Sequence, residues 1–450
     1  MNSSIRTRLS VMMFLEYVIW GAWLPLLTLY LTQYLELRGG ANLNGVQAGW
    51  VMNAFALSSL VAMFVGGQLA DRLFATEKFL AFSHLIGGIT MLLLPMQKSF
   101  WPIFILMFLH CLFYVPTLSL TNAICFANLK DSQKEFGFVR VWGTIGWVAA
   151  SWPFVFLLVD WREVPSLSDA GSFATWLGTA LGTTKSGAGM ASALTNIFTV
   201  AGLASLALAA FSLTLPHTPP AKDKGQAFAP LEAMKLLAVP AIFILFVVTF
   251  LDTIALWCYF IQTSSFLVTI GIKANWIMPV MSIGQIAEIL TMAALGWALK
   301  SLGWRWTMTL GILGQVARFA IYAGSGPNTA WMVVASNLIH GVCYAFFFAS
   351  VYIFVDEFFP KDVRASAQSL FNLMIMGIGP LVANPLWGKL GDVFKVSDPS
   401  ADVATRVARF NKLFLLTTGL AFIAMVVLVI FFHPPAKPAS EPGAAPQPAH

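Results

Sequence analysis

Charge is what this sequence has least of. Of its 450 residues only 10% are Asp, Glu, Lys or Arg, where an ordinary soluble domain carries about 25%. With 58% of the chain hydrophobic, too little polar surface remains to cover a soluble core. Cysteine is scarce as well. Cys111, Cys125, Cys258 and Cys343 lie within or at the ends of apolar runs, where they read as small packing residues, and no disulfide framework follows. The sequence shows no His/Cys/Asp metal-ligand spacing and no glycine-rich phosphate loop, so neither metal nor cofactor is expected and an enzyme is disfavoured. The net charge of +6 is scattered over short loops rather than clustered, which points to membrane topology and away from nucleic acid.

What is present is long, uncharged, apolar sequence, as at 236–251 and 413–432. A bilayer core about 30 Å thick takes roughly 20 such residues per helix. Backbone groups in hydrocarbon must satisfy one another, so only helices or closed barrels span it, and barrel strands would alternate instead of running continuously apolar. The fold expected is therefore an all-α polytopic membrane protein. Hydropathy, broken at charged or Pro/Gly-rich loops, predicts twelve spans near residues 9–33, 46–70, 79–97, 101–127, 138–159, 191–215, 237–269, 275–299, 306–324, 328–355, 366–389 and 410–433.

These divide into an N-terminal six-helix bundle (1–216), a polar linker (217–236) and a C-terminal six-helix bundle (237–433), with a Pro/Ala-rich tail at 434–450 expected to be disordered. The N-terminus runs straight into an apolar stretch too long for a signal h-region, so the first span is expected to remain as an anchor. The distribution of Lys and Arg favours cytoplasmic N- and C-termini. Two outer segments break the rhythm, 160–190 and 396–405. Gly67, Asp71 and Arg72 close the second span much as Gly296 and Lys300 close the eighth, and Arg140 opens the fifth as Arg364 opens the eleventh. Such an offset of half the chain suits parallel repeats about an axis along the membrane normal, and hence alternating access by rocking.

Charges inside spans cost roughly 2.5 to 3.5 kcal/mol on insertion scales and face a cavity or a partner. Here they are Glu16, Arg140, Asp252, Glu288 and Arg318. Gln285 and Glu288, three residues apart, share a helix face and offer both edges of a hydrogen-bonding ligand, or else an interhelical clamp. Arg140, Thr144 and Trp147 line one stripe at i, i+4 and i+7 with a cation, a hydroxyl and a ring that can stack on a base; alone, Arg140 also suits a gate. Glu16, Trp20 and Trp23 repeat that spacing, Trp23 reading equally well as an interfacial anchor. His340 is either a packing residue or a proton switch, and Arg318 reads as a structural partner of a carboxylate or of carbonyls.

Gly67, Asp71 and Arg72 resemble the cytoplasmic loop motif of the major facilitator superfamily, although an ordinary charged turn would look similar. More specifically, Phe14–Trp23, Tyr114–Leu118 with Asn122, Arg140–Gly146, Met281–Glu288, Arg318–Ala320 and Arg364–Gln368 resemble, in order, the bacterial nucleoside:proton symporters. The resemblance implies a permease of the bacterial inner membrane that takes up a nucleoside with H+ and works as a monomer. It places substrate contacts at Arg140, Thr144, Trp147, Gln285 and Glu288, and at Trp257 and Phe260 in the best register of the seventh span, with Tyr259, Gln262 and Ser264 as neighbouring substitutes. In the tenth span it places further substrate contacts at His340, which stands in place of an aromatic, and at Tyr344, which is followed by Ala345 where relatives carry an acid. The proton then falls to Glu288 alone, or to Glu16, Asp252 or His340; relatives can carry an amide where Glu16 sits. Alternatives are a carrier for a sugar or drug and, more remotely, a membrane enzyme or a transporter-like sensor.

Overall fold

The computed structural model describes residues 3–62, 75–129, 132–219, 235–359 and 361–434. Gly67, Asp71 and Arg72 lie outside these residues, as do most of the linker and all but the first residue of the predicted tail.

The spans are α1 (Ser3–Leu29), α2 (Gly45–Val61), α3 (Thr76–Leu93), α4 (Phe100–Asn128), α5 (Ser132–Ser151), α6 (Asn196–Ser212) and α7 (Pro240–Thr269). A continuous helical stretch, Ala274–Ala323, holds α8 (274–302) and α9 (304–323) on either side of Gly303. Then come α10 (Pro327–Phe358), α11 (Ala367–Phe394) and α12 (Val403–Phe431). Among the described residues nine helical segments are long and apolar enough to cross a membrane. One of them is the α8–α9 stretch, and the shorter or less apolar α2 and α5 complete the twelve passes predicted.

That α8 and α9 fold back on one another follows from one ring. Tyr259 donates from its hydroxyl to Met281 O at 3.3 Å, while the Arg318 guanidinium lies 4.4 Å from the centre of the same ring. In a straight helix those two residues would stand more than about 50 Å apart at 1.5 Å rise per residue. Gly303 makes the turn possible because its φ of 74° and ψ of 173° leave the helical region at a φ that residues with a Cβ rarely adopt.

Local chemistry sets the other ends. Asn44 caps α2 by accepting from Gln47 N–H, while the Gln47 side chain accepts from Asn44 N–H, a capping box. Asp402 caps α12 by accepting from Thr405 N–H at 2.7 Å. In the segment before it, hydrogen bonds from Ser400 and the Arg409 guanidinium hold the Asp398 carboxyl down at about 2.

Within the N-terminal half α1 packs on α5 and α6, α3 on α4 and α6, and α2 on α4; in the other half α7 packs on α11 and α12. The halves meet where α2 packs against α11, α5 against α8 and α1 against α7. Exchanging the two halves exchanges the first two of these pairs, which is the symmetry expected of the repeat.

Candidate functional site

Where the halves meet, side chains from both line a cavity that, together with the solvent space it opens into, spans about 870 Å³. From α1 come Tyr17, Trp20 and Leu24; from α5 Arg140, Thr144 and Trp147; from α7 Leu256, Trp257 and Phe260. Gln285 and Glu288 enter from α8, His340 and Tyr344 from α10, Ile375 and Met376 from α11. All nine substrate-contact residues expected from the sequence are therefore brought together here. Tyr259 turns away to donate to Asn337 Oδ1 at 3.0 Å, and Gln262 donates to Trp387 O at 2.8 Å, so the register through Trp257 and Phe260 is the one the fold adopts.

The helices carry unusual backbone at this depth. Tyr344 lies in a π-helical turn, Tyr344–Ala349, and Ile375 and Met376 lie in another, Leu373–Ile378. Such wide turns re-aim side chains and recur at functional sites.

Aromatic rings form the walls. Trp20 stacks on Phe55 at 4.8 Å and meets the edge of Trp147 at 5.2 Å, while Trp257 and Phe260 lie 5.5 Å apart on the facing helix. The Arg140 guanidinium sits 4.4 Å over the Tyr17 ring, a cation–π contact that orients the charge in a poorly solvated place. Among the described residues Glu288 is the only other charged one in the lining, so the cavity opposes one cation on α5 to one carboxylate on α8. Beside it Gln285 Oε1 is buried and has no hydrogen-bond partner among the described residues. An unsatisfied buried amide oxygen costs about 1–3 kcal/mol, and a bound donor would relieve it.

His340 is fixed from behind. Arg318, itself fully buried, lies with Nη1 2.6 Å from His340 Nδ1. A guanidinium only donates, so Nδ1 accepts and the ring carries its hydrogen on Nε2. His340 thus enters the cavity lining as a neutral donor.

Two residues considered for the proton do not line the cavity. Asp252 is buried in the C-terminal half, and neither of its oxygens has a hydrogen-bond partner among the described residues. Glu16 is buried in the N-terminal half among α3 and α4, with Thr117 Oγ1 2.7 Å from its Oε1. The predicted stripe of Glu16, Trp20 and Trp23 is split by packing: Trp20 lines the cavity, while Trp23 is fully buried edge-on to His110 and anchors nothing at an interface. Sequence reasoning missed Tyr17, Leu24, Leu256, Ile375 and Met376. Tyr17, Trp20 and Leu24 stand at i, i+3 and i+7, as good a helical stripe as the one chosen, and that spacing was the available signal.

Among the described residues, access is one-sided. A second cavity, of about 1160 Å³, shares Tyr17, Trp20 and Met376 with the first and continues past Ser59, Asn122, Ser369 and Asn372 toward the face that bears the N-terminus. The opposite face is sealed. There Asp392 accepts from Gly45 N–H at 2.7 Å and Val46 N–H at 3.2 Å, and Asn384 donates to Asn53 Oδ1 at 2.9 Å. On the other flank Asn275 donates to Leu181 O at 3.0 Å and Trp276 donates to the same carbonyl at 3.2 Å.

Residues 1–170 and 176–437 match the model of the family described as Nucleoside H+ symporter. The chain belongs to the nucleoside:proton symporter family. Among its relatives, YegT of Escherichia coli is 30% identical over 444 residues, covering 94% of this chain and 93% of that protein. The nucleoside permease NupG and the xanthosine permease of the same organism are 25% and 26% identical, covering 87% and 96% of this chain and 89% and 98% of theirs. The crystal structure of the nucleoside transporter NupG superposes with a TM-score of 0.77 at 23% identity, covering 96% of this chain and 99% of that one. A D-xylose–proton symporter shares the fold more distantly, with a TM-score of 0.68 at 13% identity over 96% and 98% of the two chains. The symporter is thus a multi-pass transporter and not an enzyme. Its family model skips 171–175, inside the outer segment that interrupts the hydropathy pattern.

Proposed function

We propose that the protein carries nucleosides into a bacterial cell together with protons, by rocking its two six-helix halves about the cavity between them. The observation that carries this reading is the composition of that cavity. Trp147 and Thr144 face it from one half, and Gln285 and Glu288 from the other. A nucleoside is a flat ring joined to a polyol. An aromatic wall suits the ring, and an amide beside a carboxylate suits the hydroxyls or the donor and acceptor edge of the base. A substrate held by both halves stabilises the arrangement that occludes it, which is the differential affinity that alternating access requires.

Membership of the family and the printed names of NupG and the xanthosine permease support nucleosides over sugars or drugs. Glu288, opposed to Arg140 across the cavity, is the residue proposed to take and give up a proton as the substrate enters and leaves. With the N-terminus in the cytoplasm, as the Lys and Arg distribution favours, the face that is open among the described residues is the inner one, an inward-facing arrangement. The cavity is built from a single chain, so a monomer suffices. Uptake of labelled uridine and adenosine into proteoliposomes, with an inward proton gradient and with or without a protonophore, tests the reading. Accumulation that collapses with the protonophore, and that glucose does not compete, is expected; competition by glucose with no effect of uridine would favour a sugar carrier instead.

A further inference from the structure

Apart from the cavity, a buried polar cluster in the N-terminal half surrounds Glu16. His84 of α3 places Nε2 2.9 Å from Glu16 Oε2, with both side chains essentially unexposed, although the pair is not aligned as a straight hydrogen bond. The hydrogen inventory around this pair is constrained. Ser205 Oγ lies 2.8 Å from His84 O and 3.3 Å from His84 Nδ1. A carbonyl cannot donate, so the single hydroxyl hydrogen of Ser205 points to His84 O, and Ser205 Oγ is left to accept from Nδ1–H. Nε2 then either presents a lone pair to Glu16 or carries the second hydrogen of an imidazolium. A lone pair facing a bare carboxylate at this distance is repulsive, so the pair needs one proton, and Glu16 as the acid beside a neutral ring meets that need without burying separated charges. Thr117 fits the same count: its one hydroxyl hydrogen is shared between Glu16 Oε1 and Tyr114 O.

We propose that Glu16 and His84 form a second proton-holding site within the N-terminal half, and that this site loads and unloads a coupling proton in step with the substrate cavity. The inference rests on the symport reading above and assigns a residue pair to it. The link to the cavity is short. Tyr17, the next residue, lines the cavity beneath the Arg140 guanidinium, while Tyr114 donates to Glu16 O at 2.7 Å and fixes the backbone between them. A substrate that draws Arg140 off Tyr17 therefore acts one residue from the carboxylate. The groups facing the pair are His110, Tyr114 and Thr117 from α4 and Ser205 from α6, with Arg140 of α5 over the neighbouring Tyr17 ring. His110 Nδ1 lies 3.0 Å from Gly87 O and must donate to it, which leaves Nε2 as the acceptor of that ring. The step is a proton transfer only: an O–H bond on Glu16 breaks as the proton leaves toward the open face and re-forms when the site reloads. The carboxylate left behind retains the Thr117 hydroxyl as a donor.

The test has two arms. Infrared difference spectroscopy of the purified protein, without substrate, should show a carboxylic acid carbonyl band that is lost in Glu16→Gln and shifted in Ser205→Ala; a spectrum identical in wild type and Glu16→Gln overturns the shared proton. In proteoliposomes, Glu16→Gln should keep uridine affinity within about twofold and keep counterflow, since Glu16 does not line the cavity, yet lose at least about tenfold in proton-driven accumulation. Wild-type accumulation in Glu16→Gln, or loss of binding and accumulation together, overturns the coupling role. Should Glu16→Gln fail to fold, His84→Gln, which keeps a donor and an acceptor, is read by the same two criteria. A wild-type protein that binds no nucleoside refutes the symport reading, whereas the infrared arm decides the proton pair on its own.

Discussion

At the sealed face the backbones of α2 and α11 approach so closely that a single methyl group should shift the conformational equilibrium. A Cβ on Gly49 would lie 2.5 Å from Asn384 O, 2.7 Å from Asn384 C and 2.9 Å from Pro385 N. All three are backbone atoms, which cannot rotate away. To restore ordinary contact, which begins at 3.4 Å, the helices must part by about 0.9 Å, and overpacking of this kind costs roughly 1–3 kcal/mol. That cost falls on the sealed state alone, because the clash vanishes once α2 and α11 separate. The same displacement strains the Asn384–Asn53 hydrogen bond and the cap that Asp392 provides to α2. Gly49→Ala should therefore move the equilibrium about 5- to 150-fold toward the state open on this face. The four native cysteines are buried, so spin labels can be placed on cysteines introduced at the exposed positions Ala41 and Lys389, on either side of the seal. The distance distribution should gain a longer component in Gly49→Ala. A folded variant with an unchanged distribution would refute the reasoning.

Other consequences follow from the same geometry. Trp147→Ala should weaken nucleoside binding by roughly 1–3 kcal/mol if Trp147 stacks on the base, and Trp147→Phe should recover much of that; equal uridine affinity by calorimetry in wild type and Trp147→Ala would mean that the indole only packs against Trp20. Asn275→Ala removes the donor to Leu181 O and Val155 O and should raise amide exchange in the helix Phe173–Gly182 while leaving substrate affinity intact. Arg318→Lys keeps the charge but loses the planar fork that stacks on Tyr259 and fixes His340, so thermal stability should fall by about 1–3 kcal/mol; an unchanged melting temperature in detergent would count against that role.

The membrane class, the span count and the duplication were legible because lipid imposes a coarse rule on every span: about 20 apolar residues, charges excluded unless partnered. The paired residues Gln285 and Glu288, and the stripe of Arg140, Thr144 and Trp147, were legible because helical spacing fixes which side chains share a face. What helical spacing leaves undetermined is which neighbour that face meets. Glu16 and Trp20 differ by only a small rotation about α1, yet one meets His84 and the other the cavity. His84 itself gave no sign, since its partner lies on another helix far away in sequence. The turn at Gly303 and the π-helical turns that aim Tyr344, Ile375 and Met376 depend on tertiary packing and left no periodic trace.

The central claim is that one cavity couples a nucleoside to a proton, and proton movement caused by the nucleoside tests it most directly. Proteoliposomes loaded with a pH-sensitive dye, with no gradient imposed, should acidify internally when uridine or adenosine is added outside, and not when glucose or ribose is added. Glu288→Gln should abolish the acidification while counterflow of labelled nucleoside continues, because an amide does not titrate. Nucleoside entry with no accompanying proton in the wild type, or full acidification in Glu288→Gln, would contradict the account.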